Sequence, residues 1–324
     1  MKYQKDSLSQ FSEQINDRLN GYKPHGIKIS EVRNVVICGL GGSGIGGKIV
    51  KSYFEDISPI PIVLNSKYDL PHFVDSSTLV VLSSYSGNTE ETLAMLASAK
   101  EKGAKIIGLT SGGKINEDLP SLSPVYSAKP GFQPRMALGY SLTNLFLVLG
   151  ELFSVDLFPE LRIAVNNLSN QSRYYDLGME LFKELRGFDY QRFVIISDDK
   201  FESISTRFAQ QIQENAKLEA FVNVLPEANH NVIETYHSKL PGVFCLLDSK
   251  SNKRTSQRFD FVKDLLLKNG NSVVEISVMG IGLSQWLETI YVLDWTSLWL
   301  ADSLDRESEN VPIITALKEY LAAH

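Results

Sequence analysis

Short apolar runs alternate with amphipathic stretches along most of the chain. Asn34–Cys38 is an apolar, β-branched run, and Pro61–Leu64, Leu79–Leu82 and Lys105–Leu109 repeat the theme. Each is short enough for a buried strand, and between them lie stretches with helical spacing. Phe11, Ile15 and Leu19 fall at i, i+4, i+8, and Gly21 and Pro24 close that first helix. Helices are predicted from about Ile45 to Phe54 and through Ala94 to Lys100. The segment from Ser141 to Leu185 is helical with little strand signal, in two stretches, Leu142–Leu152 and Glu160–Arg186. The alternation then resumes: strand Arg192–Ser197, helix Phe201–Lys217, strand Val243–Leu247, helix Ser256–Lys268, strand Ser272–Ile276, helix Ser284–Leu300. Strands alternating with helices mean parallel βαβ units, so the prediction is an α/β protein with two doubly wound sheets. The junction is expected near residue 155, dividing the chain into 1–155 and 156–324.

Composition narrows the function classes. The 324 residues are 43% apolar and 22% charged, enough for two cores and too apolar for disorder. A formal charge of −6 argues against a nucleic-acid partner, which needs a basic surface. No run of about 18 apolar residues suggests a membrane span. Cys38 and Cys245 sit inside apolar runs, VVICGL and VFCLL, as buried small hydrophobes rather than a disulfide. The N-terminus has no apolar secretion signal, so a reducing cytoplasm is the expected compartment.

The first chemical signal is Gly39-Leu40-Gly41-Gly42-Ser43-Gly44, a G-x-G-x-x-G run between a strand and a helix. A dinucleotide site would also need a carboxylate at the end of the next strand for the ribose. Asn65-Ser66-Lys67 stands there instead, and the nicotinamide reading fails on that point. Glycines at 39, 41, 42, 44 and 46 still favour close approach of a ligand to the backbone. Ser83-Ser84-Tyr85-Ser86-Gly87-Asn88-Thr89 is the second signal, again following a strand and opening a helix. One hydroxyl suffices for a helix cap, and this turn supplies four, at Ser83, Ser84, Ser86 and Thr89. Hydroxyls gathered at orphan helix N–H groups suit a compact dianion such as a phosphate ester. Thr110-Ser111-Gly112-Gly113 reads as a neighbouring loop.

SSYSGNTEET closely resembles the phosphosugar-binding turn of sugar isomerase (SIS) domains. Together with GLGGSGIGG, FQPRMALGYS, QENAKLEA, PEANHNVIE and PIITALKEYL, it resembles the bifunctional phosphoglucose/phosphomannose isomerase family from Val35 to Leu321. The resemblance implies two SIS domains and interconversion of glucose 6-phosphate with fructose 6-phosphate through a cis-enediol. It implies no cofactor and no metal, and a homodimer with shared active sites. Gly42, Ser43, Ser84, Ser86 and Thr89 are then the phosphate ligands. Glu214 in QIQENAK is the base that moves the proton between C1 and C2, and His230 opens the ring from the partner subunit. Lys318 assists the ring opening. Arg135, held in the proline- and glycine-bearing run AKPGFQPR, stabilises the enediolate.

The chemistry of these residue types suits such roles: a carboxylate in a partly dry site, an imidazole titrating near neutrality, a fixed guanidinium. One departure concerns the second substrate. Family members carry Thr before the proline of the C-terminal motif, a residue linked to use of the C2 epimer, and here Val311 precedes Pro312. Either Thr315 serves instead or mannose 6-phosphate activity is reduced. Two other readings compete. His230, Glu234 and His237 fall at i, i+4, i+7, one helical face that a metal could use, although the spacing matches no zinc pattern. A non-catalytic phosphosugar-binding regulator is the alternative for the whole chain, weakened by the absence of room before Asn34 for a DNA-binding domain.

Overall fold

A computed structural model of the chain describes residues 2–119, 123–188 and 192–324. Two compact units result, Gln10–Ser169 and Met1–Ser9 together with Asn170–His324. The first helix, α1 (Lys2–Ser9), thus belongs with the C-terminal unit.

In the unit Gln10–Ser169 the order is α2 (Phe11–Gly21), β1 (Asn34–Cys38), α3 (Gly41–Phe54), β2 (Ile62–Asn65), β3 (Thr78–Ser83) and α4 (Glu90–Glu101). There follow β4 (Lys105–Thr110), α5 (Gly113–Asp118), β5 (Val125–Ser127), α6 (Leu138–Phe153) and α7 (Phe158–Leu168). The sheet runs β2-β1-β3-β4-β5, all parallel, with Val36 opposite Val63 and Val80. Val36, Cys38, Val80 and Leu82 pack one face of the sheet against Met95 and Leu96 of α4. A sheet covered on both faces explains why these strands read as continuous apolar runs.

The other unit contains α8 (Gln171–Leu185), β6 (Arg192–Asp198), α9 (Glu202–Gln211), β7 (Glu219–Leu225), β8 (Val243–Leu247), α10 (Lys253–Lys268), β9 (Ser272–Glu275), α11 (Leu283–Ser303) and α12 (Pro312–Ala322). Its sheet runs β7-β6-β8-β9, again parallel throughout. Phe244 and Leu246 meet Phe259, Val262 and Leu266 of α10 on one face. The apolar helix α11 is core, with Trp286, Tyr291 and Leu298 fully buried, and it packs on α8 and α9.

Several expectations need correction. The break between the units falls at Ser169–Asn170, not near residue 155, because α7 buries Leu161, Ala164 and Leu168 and packs on α2. The helix expected over Glu160–Arg186 is therefore two, interrupted at Asn170, whose backbone leaves helical angles. Ser and Asn compete for backbone hydrogen bonds and favour such breaks. The helix expected to start at Ile45 starts at Gly41. The edge strands β5 and β7 lie outside the predicted set: β5 has only three residues, and β7, apolar at Ala220, Phe221, Val222, Val224 and Leu225, follows directly on the helix predicted to Lys217 and buries fully only Ala220 and Leu225. Among the described residues, no helix is long and apolar enough to cross a membrane.

Candidate active site

In the unit Gln10–Ser169 the strand order reverses between β1 and β3, since β1 leads out to β2 and β3 returns on the other side. A crevice opens at the carboxyl ends of strands at such a point. Both hydroxyl- and glycine-rich turns lie there, the first joining β1 to α3 and the second β3 to α4.

The first turn depends on glycine for contact. A Cβ on Gly42 would sit 3.0 Å from the backbone nitrogen of Arg135 and 3.1 Å from its Cα. Gly42 therefore lets the Arg135 segment lie directly on the first turn. Ser43 ties the two turns together: its Oγ accepts the Tyr85 N–H at 3.1 Å, and its carbonyl accepts the Ser83 hydroxyl at 3.2 Å. In the second turn Gly87 has φ +69°, and a Cβ there would lie 1.8 Å from the Gly112 carbonyl oxygen. Only glycine fits.

The capping pattern is the informative feature. Thr89 is the N-cap of α4, yet its side chain makes no cap hydrogen bond. Its hydroxyl pairs instead with Ser84 Oγ, 2.9 Å away. Leu40, the N-cap of α3, has no side chain able to cap. Two helices thus present uncapped first-turn N–H groups to one crevice, with the Ser84–Thr89 hydroxyl pair beside them. Such a set can hold a phosphate. Among the described residues, no carboxylate accepts from the hydroxyls of Ser43, Ser84, Ser86 or Thr89. Ser86 is exposed, and its Oγ accepts the Asn88 N–H. The third turn serves as a brace: Ser111 Oγ donates to the Tyr85 carbonyl at 2.6 Å, and Thr110 Oγ1 to the Gly112 carbonyl at 2.7 Å.

Arg135 lies in a 3₁₀ turn, Pro134–Met136, and is 2% exposed. Gln14 of α2 fixes this turn, donating to the Met136 carbonyl at 2.8 Å and accepting the Gly139 N–H at 3.0 Å. From the other side Tyr85 donates its hydroxyl to the Lys129 carbonyl and accepts the Phe132 N–H, both at 2.9 Å. Tyr85 is thus the hub linking the second turn, Ser43 and the Arg135 segment, a role the sequence did not signal. A cavity of about 20 Å³, room for one water, lies among Ser43, Ser83, Tyr85, Pro134 and Asn144. Asn65, where a dinucleotide site would place a carboxylate, is buried and donates to the Asp69 carbonyl at 3.0 Å.

The remaining expected residues lie in the C-terminal unit, on three separate elements. Glu214 is half-buried in a π-helical turn, Ile212–Ala216, that continues α9. His230 ends a 3₁₀ turn, Glu227–His230, and is exposed. Lys318 is exposed on α12, a helix that buries none of its residues and exposes Ile313, Leu317 and Tyr320. Val311 is the N-cap position of α12, and Thr315 Oγ1 donates to its carbonyl one turn along, at 3.2 Å. His230, Glu234 and His237 are divided between two 3₁₀ turns at Asn231, and among the described residues no group of three His, Cys, Asp or Glu could hold a metal ion.

Two parallel sheets of this topology define a double SIS-domain protein. The SIS domain family matches residues 28–115, and the bacterial phospho-glucose isomerase C-terminal SIS domain matches residues 176–321. A bifunctional phosphoglucose/phosphomannose isomerase of Caldicellulosiruptor bescii is 38% identical over 312 residues, 91% of either chain. The D-glucosamine-6-phosphate 4-epimerase of Sulfolobus acidocaldarius is 32% identical over 91% of this chain and 90% of its own. Among solved structures, the C-terminal domain of glucosamine-fructose-6-phosphate aminotransferase from Francisella tularensis superposes with a TM-score of 0.73, covering 95% of this chain and 98% of that one. At 13% identity this last likeness concerns the fold alone. The chain belongs to the bifunctional phosphoglucose/phosphomannose isomerase family.

Proposed function

We propose that the protein is an aldose–ketose isomerase that interconverts glucose 6-phosphate and fructose 6-phosphate through a cis-enediol. The observation that carries the reading is similarity to isomerases over 91% of the chain, spanning the hydroxyl turns, Arg135 and Glu214 together. A regulator that only bound phosphosugar would have no need of the second set.

In this reading the ester phosphate sits at the α3 and α4 N-termini. The uncapped N–H groups and the hydroxyls of Ser43, Ser84, Ser86 and Thr89 replace its hydration shell, and Gly42 lets it approach the backbone. His230 and Lys318 open the pyranose ring, His230 acting from the partner subunit of a homodimer. An imidazole can give a proton to the ring oxygen and take one from the C1 hydroxyl near neutral pH. Glu214 removes the C2 proton of the aldose and returns it to C1 of the ketose. Negative charge builds on the C1 and C2 oxygens meanwhile, and the buried Arg135 guanidinium stabilises it without reorganising. The proton begins and ends on carbon, so no redox partner is consumed.

The test is a coupled assay with glucose 6-phosphate, mannose 6-phosphate and glucosamine 6-phosphate offered in parallel. Turnover of glucose 6-phosphate to fructose 6-phosphate is expected, and Glu214→Gln should lose at least about a hundred-fold in kcat, the scale of a positioned acid–base group. Mannose 6-phosphate turnover beside it would mean that Val311 is compatible with both epimers. Epimerisation of glucosamine 6-phosphate without isomerisation would replace this reading with that of the epimerase relative.

A further inference from the structure

Arg207 on α9 faces α11. Its guanidinium meets the Asp294 carboxylate in a two-point pair, Nε to Oδ1 at 3.1 Å and Nη2 to Oδ2 at 2.9 Å, with both side chains almost wholly buried. In an uninterrupted α-helix, residues seven apart share a face. Continued regularly, α9 would therefore turn Glu214 towards α11 and bury it there.

The π turn changes that register. It lengthens the hydrogen-bonded turn by one residue and shifts which side chain faces inward. Asn215, eight residues after Arg207, now takes the inward position and is fully buried. Its Nδ2 donates to Ser297 Oγ at 2.9 Å, and Ser297 Oγ donates to the Asp294 carbonyl at 2.7 Å. Glu214 is left half-exposed beside it. Lys217 closes the turn in the left-handed conformation, φ 58°, and its Nζ donates to the carbonyls of Glu214 and Asn310. The buried anchors at Asp294 and Ser297 lie three residues apart on α11, so α11 holds α9 just before the π turn, through Arg207, and within it, through Asn215.

We infer that the π turn is the device that presents Glu214, and that Asn215 and Ser297 are positioning residues that hold the turn in its widened form. The inference rests on Glu214 being the base. Replacing the Asn215–Ser297 hydrogen bond leaves the turn free to relax towards α-helical register and rotates the Glu214 carboxylate away from its working position. Displacement of about 1 Å at a reacting group is enough for a large loss in rate.

The experiment measures kcat, KM, thermal unfolding and deuterium uptake from D₂O at C1 of fructose 6-phosphate, which reports the proton transfer directly. For Ser297→Ala and Asn215→Ala, kcat and exchange should fall together by roughly ten- to a hundred-fold. KM should stay within about two-fold, because the phosphate turns are untouched. Ser297→Thr keeps the hydroxyl and should recover most of the rate. Glu214→Gln is the reference and should lose exchange almost completely. If Glu214→Gln loses exchange while folded Ser297→Ala and Asn215→Ala exchange as the parent does, the positioning role is overturned and the base stands. A drop in thermal stability without change in kcat or exchange overturns it equally, since that is a merely structural role. Retained exchange in Glu214→Gln overturns the base and this inference with it.

Discussion

At the β1/β3 crevice, helices α3 and α4 begin without side-chain caps, and the hydroxyls of Ser84 and Thr89 pair with each other. At the corresponding β6/β8 crevice of the C-terminal unit, the chain supplies its own anion. Asp198 ends β6, and its carboxylate accepts the Phe201 N–H at 2.9 Å, the Ser249 N–H at 3.0 Å and the Ser249 hydroxyl. Asn252 caps α10, accepting the N–H groups of Arg254 and Thr255 at 2.9 and 3.1 Å. The two sheets share a strand order, β2-β1-β3-β4 matching β7-β6-β8-β9, so each has a reversal point with helix N-termini above it. Capacity for an external phosphate is therefore not a property of the topology. It depends on what the chain's own side chains place there: α9 also begins without a side-chain cap, but the Asp198 carboxylate sits at its start and Asn252 caps α10, whereas no such carboxylate or cap stands at α3 and α4 among the described residues.

The strongest way to break this comparison is to remove the internal anion. Asp198 is 1% exposed, and Asp198→Ala leaves two N–H groups and a hydroxyl without their acceptor. A stability loss of about 3 kcal/mol is expected by urea unfolding, since each orphaned buried donor costs on the order of 1–3 kcal/mol. Millimolar phosphate should recover part of it, because the emptied crevice now resembles the first. An unchanged urea midpoint would mean that Asp198 does not satisfy this crevice. In the parent, burial pushes the Asp198 carboxyl above its ordinary range, against the lowering effect of the Ser249 and Phe201 donors. A carboxyl whose folded pKa is raised contributes stability below the unfolded pKa and loses it as pH rises through the folded value. Parent stability relative to Asp198→Asn should accordingly decline as the pH climbs above the ordinary carboxylate range.

A smaller effect sharpens the contrast. Ser84→Ala combined with Thr89→Ala should raise KM for fructose 6-phosphate by roughly ten- to a hundred-fold, the loss of two hydrogen bonds to a charged group. Ser249→Ala removes a hydroxyl at the equivalent place in the C-terminal unit and should leave KM unchanged. Equal increases in the two variants would show that the second crevice also holds substrate.

Strand β1 was legible to the residue, because four consecutive buried apolar positions, Val35 to Cys38, leave few alternatives. Both turns of the open crevice were legible too, since glycine and hydroxyl clusters between a strand and a helix have a direct physical meaning. What the sequence hides are features made by distant partners. Tyr85 looks like any aromatic until Lys129, Phe132 and Ser43 gather around it. The π turn is invisible in QIQENAK, because it arises when Asn215 finds Ser297 some eighty residues on. Asp198 carries no local signal either: the acceptor is at the end of one strand and its Ser249 donors beyond another. The Asn170 break was readable in the pair Ser169-Asn170, but the strong periodicity on either side concealed it.

The two cysteines offer the mildest test, because each lies in a central strand of one sheet. Cys38 in β1 and Cys245 in β8 are fully buried, and burial pushes both thiols up to about 12. At pH 8 neither has appreciable thiolate in the folded protein, so a disulfide reagent can reach them only through local opening. Both should label far more slowly than a free cysteine. Cys38 immediately precedes Gly39, at the mouth of the open crevice, and a ligand held there must be released before β1 can open. Fructose 6-phosphate at about ten times its Kd should therefore slow Cys38 labelling by about ten-fold. Cys245 should label at an unchanged rate, because Asp198 already occupies the crevice above its sheet. Equal protection of both thiols would mean that one ligand stabilises the two sheets together, and the difference between the crevices would then not extend to their dynamics.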